Sequence, residues 1–181
     1  MDDQLVSLTK GKEFKSAQGL KLPKINVPQK ILEETKKGLL SFSQKGEFFE
    51  GIVYWAGKER SEGFEVTEVI LPKAVVTPVS FRVTSFENAR IMTCLVKRGL
   101  QLIAQVHSHP NRLGVEHNLD EEEMGFMPYD GFFSIVVKNY AKEGLLPLVE
   151  KTGIYIYGKN GFAKLTKDQA ENTFNVIHSS S

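Results

Sequence analysis

The sequence predicts an α/β fold in which a mixed sheet is flanked by helices within a single domain. At 181 residues the chain is long enough for one domain with a substantial core. Segments with the apolar pattern of strands alternate with segments of helical period, and no repeat, low-complexity run or internal linker separates them. Helices lie between several of the predicted strands, so at least one connection is not a hairpin. The sheet is therefore expected to be mixed.

The first half of the domain predicts one helix followed by two strands. Apolar residues recur at helical spacing from Gln29, and this helix is expected to end near Gly46. Glu50–Gly57 has β-branched and aromatic residues in its middle, which is typical of a buried strand. Phe64–Leu71 follows as a second strand. We place the domain at residues 29–178.

The segment that precedes this domain, residues 1–28, has only scattered apolar positions and several lysines. It is interpreted as an N-terminal extension. Whether it pairs as a strand is left open by its composition.

The second half begins with a helix whose start is marked by Thr84-Ser-Phe-Glu87, a sequence with the form of a capping box. Gly99 is expected to stop this helix near Arg98. Leu100–His107 follows as a strand, and Pro110 prevents its continuation. Four further elements are expected: a short helix at Asp120–Met127, strands at Phe132–Val137 and Leu145–Tyr157, and a closing helix at Lys164–Ile177.

Composition narrows the possible environments and partners. The net charge is near +1, which does not favour a nucleic acid or a membrane surface as the main partner. No apolar run approaches the roughly 20 residues of a membrane span, and Met1–Lys10 lacks the apolar stretch of a signal peptide. Cys94 is the single cysteine, so an intrachain disulfide and a cysteine-rich zinc knuckle are excluded. A cytoplasmic protein is expected.

Candidate metal ligands cluster around the end of the strand Leu100–His107. His107 and His109 are two residues apart, and side chains at that spacing leave a strand on the same face. Ten residues then separate His109 from Asp120, enough for a loop to return a carboxylate. Two imidazoles and one carboxylate would leave a fourth position open for water, as in catalytic zinc sites with one ion.

Each part of this cluster also has a simpler interpretation. A His-x-His pair on a strand is often found in surface or hydrogen-bonding roles, and the acidic run Asp120–Glu123 is typical of a solvated helix start. Three other classes of metal-dependent hydrolase do not fit this sequence. A metallo-β-lactamase-like site needs Asp and His directly after the pair, an amidohydrolase needs a larger barrel, and a zincin needs His-Glu-x-x-His.

The stretch His107-Ser-His-Pro110, with Asp120 ten residues further on, resembles the motif of the JAMM (MPN-plus) metalloprotease family. That family also has a glutamate before a strand that ends in glycine, the place that Glu50 occupies here. The order of the predicted elements agrees as well. The resemblance covers roughly residues 29–165 and implies a single MPN-like domain with a cytidine-deaminase-like mixed sheet.

The resemblance implies zinc ligation by His107, His109 and Asp120, with Glu50 as the general base that passes a proton from the zinc-activated water to the leaving amine. One position departs from the family. Where a serine usually stabilises the tetrahedral intermediate, this sequence has His117. Either His117 or its neighbour Asn118 is the candidate for that role, and a shift by one residue would make Glu121 compete with Asp120 as ligand.

Family members cleave after the C-terminal tail of ubiquitin or a ubiquitin-like protein, so the resemblance implies such a protein or its conjugate as partner. The short distance between Asp120 and Phe132 fits a compact enzyme without the insertion of larger relatives. Lys73–Arg82 is a candidate for substrate contact, although a surface loop is an equal interpretation. Two other functions stay open: a catalytically silent MPN scaffold and a zinc peptidase for short peptides.

Overall fold

Strands dominate the architecture of this chain, for which the computed structural model describes residues 22–43, 46–116 and 125–178. These ranges contain ten strands and four helices. The strands are β1 Lys24–Pro28, β2 Ile52–Arg60, β3 Gly63–Ile70, β4 Ala74–Thr77, β5 Ser80–Val83, β6 Gln101–Ser108, β7 Phe133–Val137, β8 Thr152–Gly158, β9 Gly161–Lys164 and β10 Phe174–Ile177. The helices are α1 Gln29–Leu40, α2 Ser85–Lys97, α3 Leu148–Lys151 and α4 Lys167–Thr173.

Eight strands form one mixed sheet in the order β10-β1-β3-β2-β6-β7-β8-β9, and β4 and β5 form a separate hairpin. Three neighbouring pairs are parallel: β1 with β10, β1 with β3, and β6 with β7. The other neighbours in the large sheet are antiparallel. The α/β class and the mixed sheet predicted from the sequence are therefore confirmed.

The sheet is covered on both faces, which we name after the helix that packs there. On the α1 face, Val53 and Trp55 of β2 belong to a buried cluster that includes Ile31 of α1. The indole Nε1 of Trp55 donates to Thr35 Oγ1 at 2.8 Å, and this bond joins the centre of the sheet to the helix. On the α2 face, Ile52 and Tyr54 form a second cluster, with Ile91 of α2 among its members. The strands in the middle of the sheet are thus enclosed on both sides.

Helix α2 begins as the sequence predicts. The hydroxyl of Thr84 accepts a hydrogen bond from the backbone N–H of Glu87. The Glu87 carboxylate does not complete a capping box, because it accepts from the Lys73 N–H and from Arg90 instead. This arrangement ties the start of α2 to the segment that leads into β4.

Several element boundaries differ from the sequence-based expectation. Lys24–Pro28 is a strand between β3 and β10, so the sheet begins within the segment that was assigned to an extension. The expected strand Leu145–Tyr157 starts only at Thr152, because α3 occupies the residues after Pro147. The expected helix Lys164–Ile177 is limited to α4 and is followed by β10. A capping box between Thr166 and Gln169 fixes the start of α4.

Two further segments can be compared with their expected structure, one of them only in part. The segment Lys73–Arg82 forms most of the β4–β5 hairpin rather than an irregular loop. Of the helix expected at Asp120–Met127, residues 120–124 lie outside the described ranges and residues 125–127 are not helical. No helix within the described ranges is long and apolar enough to cross a lipid bilayer.

Candidate active site

The two histidines of the His-x-His pair lie side by side at the end of β6. Both are fully buried, with 0% exposure, and their ring centroids are 5.0 Å apart. Ser108 stands between them in sequence and, by the alternation of a strand, faces the other side of the sheet. The two imidazoles therefore share the α2 face, where they can act on one point.

Glu50 reaches the same place from the neighbouring strand. β2 and β6 are antiparallel with Ile52 opposite His107, and the Ser108 N–H donates to the Gly51 carbonyl at 3.0 Å. Continuing this register by one more residue places Glu50 opposite His109. Because Glu50 and Ile52 alternate with Gly51, the carboxylate of Glu50 lies on the α2 face with the two imidazoles. Glu50 is only 3% exposed.

The backbone on either side of these residues is held by hydrogen bonds. The His109 N–H donates to the Val137 carbonyl at 2.8 Å, and the His109 carbonyl accepts from the Tyr140 N–H at 2.8 Å. The Glu50 N–H donates to the Thr77 carbonyl at 2.9 Å, which joins Glu50 to the β4–β5 hairpin. The positions of Glu50 and His109 are thus set by their neighbours and not by side-chain packing alone.

Apolar residues surround the histidine pair. The ring of Phe81, from β5, lies 5.0 Å from the ring of His107 between centroids. Ile52 and Val136 flank His107 on the two adjacent strands, and both are fully buried. Such walls exclude water from the sides of the site and strengthen electrostatic interactions within it.

The remaining predicted site residues, Asp120 and His117 with their alternatives Glu121 and Asn118, lie in residues 117–124 and so outside the described ranges. The residues that flank this segment are described, and each flank is anchored. Upstream, the Tyr155 hydroxyl is 3.1 Å from the Val115 carbonyl oxygen. Downstream, the Asn88 side chain donates to the Gly125 carbonyl at 2.9 Å. Both ends of the segment are therefore tied to the framework around the histidines.

The downstream flank is held by a chain of buried polar groups. Gln105, two residues before His107 on β6, accepts from the Phe126 N–H at 3.1 Å and donates to the hydroxyl of Ser134 at 3.2 Å. Gly125 fits here because a Cβ on it would lie 2.2 Å from Gln105 Oε1. Beside it, the Tyr54 hydroxyl donates to the Asn88 amide oxygen at 2.8 Å. Burial, with a smaller effect of the Glu87 carboxylate, raises the pKa of Tyr54, which keeps this hydroxyl protonated and able to donate.

The upstream flank carries an ion pair. Glu116 contacts Lys164 at 2.5 Å, and the Tyr155 hydroxyl is 3.2 Å from the same carboxylate. The hydrogen bond from Lys164 is the main reason that the pKa of Glu116 lies below its usual value. Gly153 allows Val115 to approach β8, because a Cβ at position 153 would lie 2.2 Å from the Val115 carbonyl oxygen.

The two buried imidazoles suit a zinc ion, the metal that the sequence suggests. Within residues 22–43, 46–116 and 125–178, no group of three His, Cys, Asp or Glu side chains could hold a metal ion. The described part of the chain supplies two buried imidazoles, and Asp120, the third ligand predicted from the sequence, lies outside the described ranges. Imidazole nitrogens with one carboxylate oxygen are typical ligands of catalytic zinc.

Sequence reasoning missed Gln105, Asn88 and Tyr140 as contributors to this site. Gln105 had a usable signal, because a polar residue at i−2 from His107 lies on the same face of the strand. Asn88 and Tyr140 had none, since their contacts cross between elements that are distant in sequence.

No model of a known protein family matches the chain. A protein from Sinorhizobium fredii (strain NBRC 101917 / NGR234), described as "Probable metalloprotease y4jG", is 31% identical to it over 123 residues, which cover 66% of this chain and 74% of that protein.

Solved structures resemble the fold. Protein DSY2949 from Desulfitobacterium hafniense aligns with a TM-score of 0.58 and 14% identity, covering 86% of this chain and 94% of its own. A protein from Salinibacter ruber aligns with a TM-score of 0.50 and 16% identity, covering 77% and 87%. AF2198, a JAB1/MPN domain protein from Archaeoglobus fulgidus, aligns with a TM-score of 0.46 and 13% identity, covering 84% and 98%.

Proposed function

The chain belongs to the JAMM (MPN-plus) metalloprotease family, and from this membership we propose that it is a zinc-dependent peptidase or isopeptidase acting at the C-terminal tail of a ubiquitin-like protein. The observation that carries the proposal is the position of Glu50. Continuing the register of β2 and β6 past Ile52 and His107 places it opposite His109, on the same face as the histidine pair. A buried carboxylate close to two buried imidazoles suits metal-assisted hydrolysis, in which the imidazoles hold the metal and the carboxylate acts as general base.

In this proposal His107, His109 and Asp120 hold one zinc ion. When bound, zinc lowers the pKa of a water ligand to about 7 and polarises the carbonyl of the scissile bond. His107 lies on β6 in the centre of the sheet and His109 directly follows that strand, and both side chains are fully buried. Ligands on a strand are positioned more accurately than ligands on loops.

Glu50 acts as the general base and then as the general acid. Its carboxylate accepts a proton from the attacking water and later transfers that proton to the amine nitrogen of the leaving group, so the carboxylate is regenerated. The burial of Glu50 limits exchange of this proton with bulk water. His117 or Asn118 is proposed to donate the hydrogen bond that stabilises the oxyanion, a contribution that is typically worth 10²–10³ in turnover.

The β4–β5 hairpin is the proposed contact for the substrate tail. It adjoins Glu50 through the hydrogen bond between the Glu50 N–H and the Thr77 carbonyl. Val75 and Val79 are exposed on it at 71% and 45%, which provides apolar contact for an extended peptide. A tail of small residues lying along this hairpin would bring its last carbonyl beside Glu50.

The test combines metal content with hydrolysis. Purified protein is expected to contain one zinc per chain and to cleave a ubiquitin-like fusion immediately after the tail, read by mass spectrometry with and without a chelator. The variant Glu50→Gln should retain the zinc and lose cleavage, with at least a hundredfold lower kcat. Glu171→Gln, which changes an exposed carboxylate of α4, is the matched control.

Each other outcome argues against a part of the proposal. Protein that binds no zinc would point to a silent scaffold. Cleavage of short peptides with no preference for the ubiquitin-like tail would overturn the substrate class but leave the peptidase chemistry in place. Full activity of Glu50→Gln would overturn the role of Glu50.

A further inference from the structure

The turn after β7 has a backbone conformation that its residues do not favour. Asn139, Tyr140 and Ala141 have φ values of 52°, 53° and 61°, in the left-handed region that normally suits glycine. Three successive non-glycine residues in this region are unfavourable and persist only where the surrounding structure holds them. The contacts of Tyr140 identify what holds this turn.

Tyr140 bonds to two parts of the site at once. Its backbone N–H donates to the carbonyl of His109 at 2.8 Å. Its hydroxyl donates to the carbonyl of Pro78 at 3.0 Å, at the tip of the β4–β5 hairpin. The left-handed turn directs the backbone of Tyr140 to one partner and its side chain to the other.

These bonds complete a closed ring around the site. Pro78 follows Thr77, whose carbonyl accepts from the Glu50 N–H at 2.9 Å. Glu50 is in turn joined to His109 through their chain neighbours, because Gly51 and Ser108 are hydrogen-bonded to each other at 3.0 Å. The ring therefore runs from His109 through Tyr140 to the hairpin, and from the hairpin through Glu50 back to His109.

Aromatic packing also holds the Tyr140 side chain in place. The ring of Phe48, two residues before Glu50, stacks on that of Tyr140 with centroids 5.7 Å apart and an angle of 30°. The Lys142 ammonium lies 3.4 Å from the centroid of the Phe48 ring. The segment that leads into Glu50 is thus held by Tyr140 of the strained turn and by Lys142, which follows that turn.

We propose that Tyr140 is a positioning residue that fixes the separation between Glu50 and His109. This inference rests on the proposed function, because the separation matters when Glu50 transfers a proton beside a metal that His109 holds. An error of about 1 Å in such a separation can lower the rate a hundredfold. The strained turn places the Tyr140 N–H and hydroxyl on their two partners.

The test is Tyr140→Phe, which keeps the ring and its stacking on Phe48 and removes only the hydroxyl. With a fluorogenic amide of a ubiquitin-like tail peptide as probe, we expect about tenfold lower kcat at unchanged KM. Zinc content should stay the same, and amide hydrogen exchange at Glu50 should become faster. Tyr129→Phe is the matched control: the Tyr129 hydroxyl also donates to a backbone carbonyl, that of Leu102, but away from the ring.

The outcomes separate this inference from the proposed function. Unchanged Glu50 exchange, or unchanged kcat, in Tyr140→Phe would overturn the positioning role. Equal effects of Tyr140→Phe and Tyr129→Phe would also overturn it, because a general loss of stability would then explain both. Wild-type protein without zinc or activity would refute the proposed function, and exchange at Glu50 would still show whether the Tyr140 hydroxyl holds that residue.

Discussion

Gly51 and Ser108 exchange two hydrogen bonds across the ends of β2 and β6. The Gly51 N–H donates to the Ser108 hydroxyl at 3.0 Å, and the Ser108 N–H donates to the Gly51 carbonyl at 3.0 Å. Each residue is the direct neighbour of a site residue, Glu50 on one strand and His109 on the other. The pair therefore sets the register that brings the carboxylate to the imidazoles.

Ser108→Ala should destabilise the protein and lower its activity. The variant leaves the buried Gly51 N–H without its acceptor, at a cost of about 1–3 kcal/mol. Urea unfolding measures the loss. Ser41→Ala, which removes an exposed hydroxyl bonded to the Gly38 carbonyl, is the control and should change stability by less than about 0.5 kcal/mol. Equal losses in the two variants would contradict the role assigned to Ser108.

Gly51→Ala should lower stability and activity more than the addition of one methyl group suggests. A Cβ at this position would lie 2.4 Å from the Leu39 carbonyl oxygen, near the end of α1, so backbone has to move. We expect a loss of about 1–3 kcal/mol in the free energy of unfolding, together with reduced kcat because Glu50 moves too. Gly158→Ala is the control, since its Cβ would meet no atom within 4 Å. If Gly51→Ala is as stable as Gly158→Ala, the close approach of α1 is not what requires glycine.

Asn88→Ala should weaken both stability and zinc binding. It removes the donor to the Gly125 carbonyl and the acceptor of the Tyr54 hydroxyl. We expect a cost of about 1–3 kcal/mol from these partners and roughly tenfold weaker zinc affinity, because Asp120 lies five residues before Gly125. Competition with a zinc indicator measures the affinity. Asn175→Ala, which loses an exposed bond to Asn26, should bind zinc as the wild type does.

Glu87 should make stability depend on pH in the acidic range. Hydrogen bonds from Arg90, with a smaller contribution from the Lys73 N–H, lower the pKa of this carboxyl from 4.5 to about 2. A lowered pKa in the folded state stabilises the protein above pH 4.5, and this contribution is lost as the pH falls towards 2. Glu87→Gln should therefore be less stable than wild type at about pH 7, and the difference should shrink as the pH is lowered through this range.

Urea unfolding of both proteins across that range is the measurement. Glu171→Gln, an exposed carboxylate of α4, serves as control and should follow the wild-type curve. A constant difference between wild type and Glu87→Gln at all pH values would show that the carboxylate does not titrate as described.

Much of the site could be predicted because its geometry is local. Two histidines at i and i+2 on a strand must share a face, whatever the rest of the fold does. The position of Glu50 relative to the histidines does not follow from local geometry. It depends on β2 lying next to β6, a pairing between residues more than fifty positions apart, which only the family resemblance indicated.

The errors in the fold have similar causes. Phe174–Ile177 is a short apolar run that suits a helix or a strand, and its pairing with β1 at the far end of the chain decides between them. Whether Lys24–Pro28 pairs as a strand stayed open in the sequence, because one of its two neighbouring strands is β10, at the far end of the chain. No glycine marks the left-handed turn at Tyr140, so no local pattern predicts that the hydroxyl of this tyrosine bonds to Pro78.

The parallel pairing of β1 with β10 has a consequence for biosynthesis. β1 is the first described strand to leave the ribosome and β10 is the last. Until residue 177 has been translated, β1 can pair with β3 on one side while its other side presents open N–H and C=O groups. In a nascent chain, or one truncated before β10, β1 is therefore an open edge strand at one end of the sheet, exposed to aggregation or to chaperone binding.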